Sequence, residues 1–318
     1  MRCTILAAIL LSAAIAFASA NAGDTSYQAL TNDNILTAER GLKLIKEGKL
    51  DDAILVLHEA VHFNPYDSVS YNNLGHAYMT KGDFTNAILA LTEAVRLNPE
   101  DYSAYDVRGI TYSKQGAFDK AISDFSKAIN ICPTNAIAIY NRAVAYAQKH
   151  SFEKAFTDFA EALKMSPNSS KVLAGRGGLY IKVGEWEKAI KDLTAAISYE
   201  PGDAEAYNSL GWLLATCPDP SVRNGSEAVK LASKACELSH WQKWYCVGTL
   251  AAAYAASNNF EQADKYQQQA LTMEGATTVE MQDERKRLLL YQEHKSIMTN
   301  RRSNLDFTGS NDAKALTP

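Results

Sequence analysis

The chain has 318 residues, of which 47% are hydrophobic, ample for a folded core. Its formal charge is -4, and no basic stripe with interleaved aromatics runs through it. A nucleic-acid backbone, which needs clustered lysine and arginine to displace its counterions, therefore has little to hold it, and no nucleic-acid partner is expected.

Residues 1–20 differ from everything after them. Arg2 supplies a positive end, 5–17 form an apolar run, and Ala18, Ser19 and Ala20 place small residues where a signal peptidase cuts. This predicts a secretory signal peptide cleaved before Asn21, and a mature chain that is periplasmic or secreted. The apolar run is short for a bilayer, and no transmembrane segment is expected in the mature chain. Cys3 precedes the run, unlike the cysteine of a lipoprotein. Residues 21–33 read as a polar leader.

From residue 34 one skeleton recurs every 34 positions. Prolines mark it at Pro65, Pro99, Pro133, Pro167 and Pro201. Alanines follow the same period at Ala53, Ala87, Ala121, Ala155 and Ala189, and again at Ala60, Ala94, Ala128, Ala162 and Ala196. Glycines stand mid-unit at Gly48, Gly82, Gly116 and Gly184, with His150 in the fourth copy. A fixed period of this size is the signature of a stacked array. The regular units are 34–67, 68–101, 102–135, 136–169 and 170–203, each read as two helices. In the second, Tyr71, Leu74, Gly75 and Tyr78 make an apolar stripe on the first helix, and Gly82 stops it. Ala87, Leu91 and Ala94 face inward from the second helix, which Asn98-Pro99 ends.

The copies differ informatively. Units three to five carry Arg108, Arg142 and Arg176 on the first helix and Asp124, Asp158 and Asp192 sixteen residues later. This spacing predicts an Arg–Asp bridge between the helices of each unit, a structural rather than catalytic use of those charges. Unit one pairs Arg40 with Val56, so Arg40 should point elsewhere. A sixth and a seventh unit, over 204–273, are degenerate, and the sixth has its turn expanded to CPDPSVRNGS. Residues 280–298 read as a charged capping helix using Leu288, Leu289 and Tyr291, and 299–318 as a disordered tail.

A 34-residue unit with these prolines, alanines and glycines resembles the tetratricopeptide repeat, strongly over 34–203 and in degenerate form to about residue 273. The resemblance implies an all-α, right-handed superhelical solenoid of about seven helical hairpins with a C-terminal capping helix. The closing segment resembles that of many bacterial members. Arrays of this kind take an extended peptide or a helix along the groove lined by their first helices. Carried across by position, the groove residues are Asn72, His76, Asp106, Tyr140, Asn208 and Trp212, with Lys114 and Lys182 nearby. The implied function is a non-catalytic scaffold that holds another protein. A carboxylate clamp is not expected, because Ser103 and Val107 stand where Asn72 and Asn73 would need basic partners.

Two other readings use the same residues. His58, Glu59 and His62 spell H-E-x-x-H, which on a helix can bind zinc with the glutamate as general base. Against a zinc hydrolase, Ala60 is the buried repeat alanine and Glu93 repeats the place of Glu59. The later copies also hold Thr92, Ser126 and Ala160 at the place of His58, which reads as a solvent-facing row. No catalytic residue, metal ligand or cofactor is assigned. Tyr140 and Trp212 are also compatible with a small molecule or glycan in the groove. Of the cysteines, Cys236 and Cys246 flank a turn, and both a disulfide and two small buried hydrophobes fit that placement.

Overall fold

A computed structural model describes residues 37–297, and fifteen helices with no strand are found among the described residues. The expected signal peptide, leader and tail fall outside them, as do residues 34–36 and 298. The fold is all-α, with consecutive helices packed as pairs. The chain divides into two compact units after Glu161.

In the first unit α1 (37–46) and α2 (Leu50–Phe63), then α3 (Ser68–Lys81) and α4 (Phe84–Leu97), follow one another as hairpins. They are followed by α5 (Tyr102–Lys114) with α6 (Phe118–Ile131), and by α7 (Ala136–Gln148) with α8 (Phe152–Met165), inside which the division falls. The first helices α3, α5 and α7 each start on a polar cap that accepts from free amide N–H groups. Asp67 accepts from Val69, Asp101 from Ser103 and Ala104, and Asn135 from Ile137 and Ala138.

Helix contact is close because the facing residues are small. A Cβ placed on Gly75 would stand 2.4 Å from Leu91 Cγ, and one on Gly109 would stand 2.6 Å from Phe125 Cε1. Ala53, Ala87, Ala121 and Ala155, and with them Ala60, Ala94 and Ala128, are 0% exposed. Leucine and phenylalanine from the second helix lie in the channel that glycine leaves open.

The turns between paired helices need a left-handed residue. Gly82 supplies it at φ 87° and Gly116 at φ 76°, whereas in the fourth copy His150 is held at φ 57°. An L-residue is strained there by roughly 1–2 kcal/mol. The imidazole lies edge-on to Phe152, with ring centroids 5.7 Å apart.

The second unit holds α9 (Ser170–Val183) with α10 (Trp186–Tyr199), then α11 (Ala204–Thr216) with α12 (Gly225–Leu238). After them come α13 (Trp244–Ala256) with α14 (Phe260–Leu271), and finally α15 (Thr278–Gln292). The expanded sixth turn folds back on itself: Asn224 N–H donates to Leu214 O at 2.9 Å, and Arg223 Nη1 donates to Cys217 O at 3.3 Å. Gly225 then lets α12 begin against the end of α13, where a Cβ would stand 2.6 Å from the Ala256 carbonyl carbon. Cys236 and Cys246 lie in one core cluster as free thiols, and burial pushes both up to about 12. They are the small buried hydrophobes of the two readings.

The capping helix departs from expectation. It runs Thr278–Gln292 rather than 280–298, and it opens with a reciprocal capping box between Thr277 and Glu280. Its buried face is Glu284, Arg287 and Tyr291, while Leu289 is 61% exposed. The reason is the partner set: Glu284 accepts from Gln267 on α14 and pairs with Arg287, whose guanidinium lies 4.8 Å over the Trp212 ring. A charge-paired face gives the Gln267 amide N–H and the Trp212 ring partners that leucine cannot.

Two measurements check this packing. Ala121→Leu should overpack α5 against α6 and lower stability by ~1–3 kcal/mol, seen as a fall in Tm. His150→Gly should raise the urea midpoint, with a gain of roughly 1 kcal/mol from released strain, unless the contact with Phe152 outweighs it.

Candidate functional site

Two kinds of polar side chain stand on the first helices. The arginines join helices. Arg108 Nε and Nη2 donate to the two carboxylate oxygens of Asp124 at 2.7 and 2.9 Å. Arg142 does the same to Asp158 at 2.8 and 2.9 Å, and in the second unit Arg176 to Asp192 at 2.6 and 2.9 Å. The third arm reaches the neighbouring repeat: Arg108 Nη1 meets Thr92 Oγ1 at 3.3 Å, and Arg142 Nη1 meets Ser126 Oγ at 3.1 Å. The row read as solvent-facing is thus partly a connecting row. At the same place in unit one, His58 Nε2 shares a 2.7 Å hydrogen bond with Tyr78 Oη. Arg40, opposite Val56, is exposed.

The second kind lines a cavity of about 470 Å³ in the first unit. Leu42 of α1 forms one side, Asn72, Asn73 and His76 of α3 another. Tyr102, Ser103, Asp106, Val107 and Ile110 of α5 form the third, and Thr134, Asn135 and Ile137 close it at the start of α7. Asn72 Nδ2 donates to Asp101 Oδ2 at 3.2 Å, so the cap of α5 also holds a side chain one repeat back. One repeat later the partners are exchanged: Asn135 Nδ2, from the cap of α7, donates to Asp106 Oδ2 at 2.8 Å. Asn73 Nδ2 donates to Ala38 O at 3.3 Å, which ties α3 to α1.

Asp106 is the unusual group. It is 8% exposed, its Oδ1 meets no donor among the described residues, and burial lifts its pKa to about 6 against the pull of Asn135. Burial also lowers the pKa of His76, favouring the neutral imidazole. No lysine or arginine is among the described lining residues, whose charge is neutral to negative.

The six positions carried across from the resemblance separate accordingly. Asn72, His76 and Asp106 share the cavity wall. Tyr140 does not face a groove: it is 2% exposed and packs against Phe159 with ring centroids 6.0 Å apart. In the second unit, Trp212 lies under Arg287 of the capping helix and packs on the core, and Asn208 is buried. A glycan or small molecule resting on Tyr140 and Trp212 therefore finds neither ring free. Lys114 ends α5 without lining the cavity, and Lys182 lies near the end of α9. His62 is exposed, edge-on to Phe63, and no group of three or more His, Cys, Asp or Glu placed to hold a metal occurs among the described residues. Leu42, Tyr102, Ile110 and Ile137 were not singled out from the sequence. Ile137, at 53% exposure, breaks the usual polarity of a helix start, and that was the available signal.

A raised carboxyl pKa has a definite sign in stability. The folded chain favours the protonated acid, so this contribution is complete below the ordinary value of 3.8 and is lost as pH rises through about 6. Asp106→Asn should therefore stabilise the protein by about 3 kcal/mol at pH 7.5, and the difference should close towards pH 4 in paired urea titrations.

Sequence models of the tetratricopeptide repeat match residues 68–101, 136–169, 175–218 and 247–277, and a TPR repeat model matches 109–150. A search of curated proteins finds no match. Among solved structures, a tetratricopeptide repeat protein from Parabacteroides merdae is similar at TM-score 0.60 and 18% identity, over 82% of this chain and 99% of that one. Cut9 in the APC/C hetero-tetramer Cut9–Hcn1 is similar at TM-score 0.66 and 15% identity, over 78% of this chain and 48% of that one. Yeast Tom70 gives TM-score 0.59 and 19% identity, over 82% of this chain and 54% of that one. At these identities the likeness is one of fold. Repeat models distributed along both units, together with hairpins that pack on glycine and alanine at one period, make this chain a member of the tetratricopeptide-repeat family.

Proposed function

We propose that the protein is an exported, non-catalytic scaffold that holds an extended peptide or helix of a partner protein against the first helices of its first unit. The observation that carries this is the cavity bounded by α1, α3, α5 and the start of α7, where asparagine amides and an acid lie beside aliphatic side chains. Amides at Asn72 and Asn73 suit the N–H and C=O groups of a backbone, and Leu42, Val107 and Ile137 suit its apolar side chains. Among the described residues no helix is long and apolar enough to cross a membrane. Export is supported by the charged start, the apolar run and Ala18-Ser19-Ala20, and mass spectrometry of an envelope fraction should find a mature N-terminus at Asn21.

The binding reading is tested with twelve-residue random peptides displayed on phage, selected on the protein and then titrated by calorimetry. Ile137 is half exposed and lines the cavity, so Ile137→Arg should alter the cavity with little effect on the core. Selected peptides should bind the parent and lose at least roughly tenfold in affinity on this variant, about 1.4 kcal/mol. Equal binding to both would move the site away from this face.

A further inference from the structure

We propose that this cavity is a subsite for a primary ammonium group, so that the bound partner segment presents a lysine there. The inference rests on reading this face as the peptide-binding surface, and it adds the chemistry of the residue recognised. Three observations converge on it. Asp106 is more than nine-tenths buried and forms part of the wall, with one carboxylate oxygen on Asn135 and the other without a donor among the described residues. No lysine or arginine is among the described residues that line the cavity, so none of them gives the acid a counter-charge. The described wall also sets polar groups, among them Asn72, His76, Ser103 and Thr134, beside aliphatic ones such as Val107 and Ile137.

A lysine fits that division. Its ammonium brings three donors to acceptors that converge from two helices, while its four methylenes lie along the aliphatic side. Arginine fits less well. Its guanidinium binds a carboxylate best through two parallel hydrogen bonds, and Asn135 already occupies Oδ2. A carboxylate-bearing ligand is disfavoured outright, because it would face Asp106 with no lysine or arginine beside it. Holding a buried acid without a counter-charge destabilises the empty protein, and an incoming cation relieves that burden, so the unfavourable term in the free state becomes selectivity in the bound one.

The test uses the same display library on the protein and on Asp106→Asn. Peptides enriched on the parent should share a lysine at one position, and replacing it with norleucine should weaken binding roughly tenfold to hundredfold by fluorescence anisotropy. On Asp106→Asn the lysine and norleucine peptides should bind alike. The norleucine comparison on the unmodified protein stands even if the variant misfolds. Enriched peptides with no shared lysine, or an unchanged affinity on norleucine replacement, overturn the ammonium subsite and leave the peptide-binding reading intact. No enrichment at all overturns that reading, and this proposal with it.

Discussion

Everything in this molecule depends on how closely two helices of a hairpin can approach. Where a Cβ at Gly75 would overlap Leu91, and one at Gly109 would overlap Phe125, a single hydrogen atom lets the second helix drop a bulky side chain into the first. The alanines seven residues apart, such as Ala87 and Ala94, bring the backbones together along the rest of the contact. Dispersion energy falls off steeply over fractions of an ångström, so this approach decides whether the leucines and phenylalanines pack or merely collide. Caps, bridges and turns only keep the approach in register.

The site arises where that repetition is allowed to vary. At one place on the first helices the chain carries Asn72, Asp106, Tyr140 and Asn208, and the surroundings decide what each becomes. Asn72 bonds the cap of the next repeat's first helix, and Asp106 does so with donor and acceptor exchanged. Tyr140 closes onto Phe159 and joins the core. One position in the repeat thus provides a strut, a buried acid and a core aromatic.

This also explains what the sequence could and could not disclose. Period, hairpin boundaries and the sixteen-residue Arg–Asp spacing depend on contacts within one unit, where positions along a helix translate directly into faces. The direction of Tyr140 depends on a ring nineteen residues away finding it, which no periodicity announces. Trp212 was legible as a helix residue but not as a covered one, because its cover, Arg287, arrives from the end of the chain. The capping helix misled for a related reason. Its leucines suggested the buried face, yet the buried Glu284–Arg287 pair prevailed because Gln267 and Trp212 were waiting for polar company. Asp106 was legible as a first-helix residue, but its place in the cavity wall and its isolation are properties of the assembled helices.

The connections between repeats have a consequence for how such a chain changes over evolutionary time. Arg108 reaches back to Thr92 and Arg142 to Ser126, each across sixteen residues, and each finds a hydroxyl. Excising residues 102–135 would bring Thr92 opposite Arg142 at the same separation, and duplicating them would bring Ser126 opposite a second Arg108. Recombination between copies can therefore lengthen or shorten the array while its seams still close. The acid at Asp106 has no such understudy: excision removes it, and its counterparts at the same place are asparagine, tyrosine and alanine. The scaffold is free to drift in number, whereas the cavity has one genetic origin and is lost with a single unit.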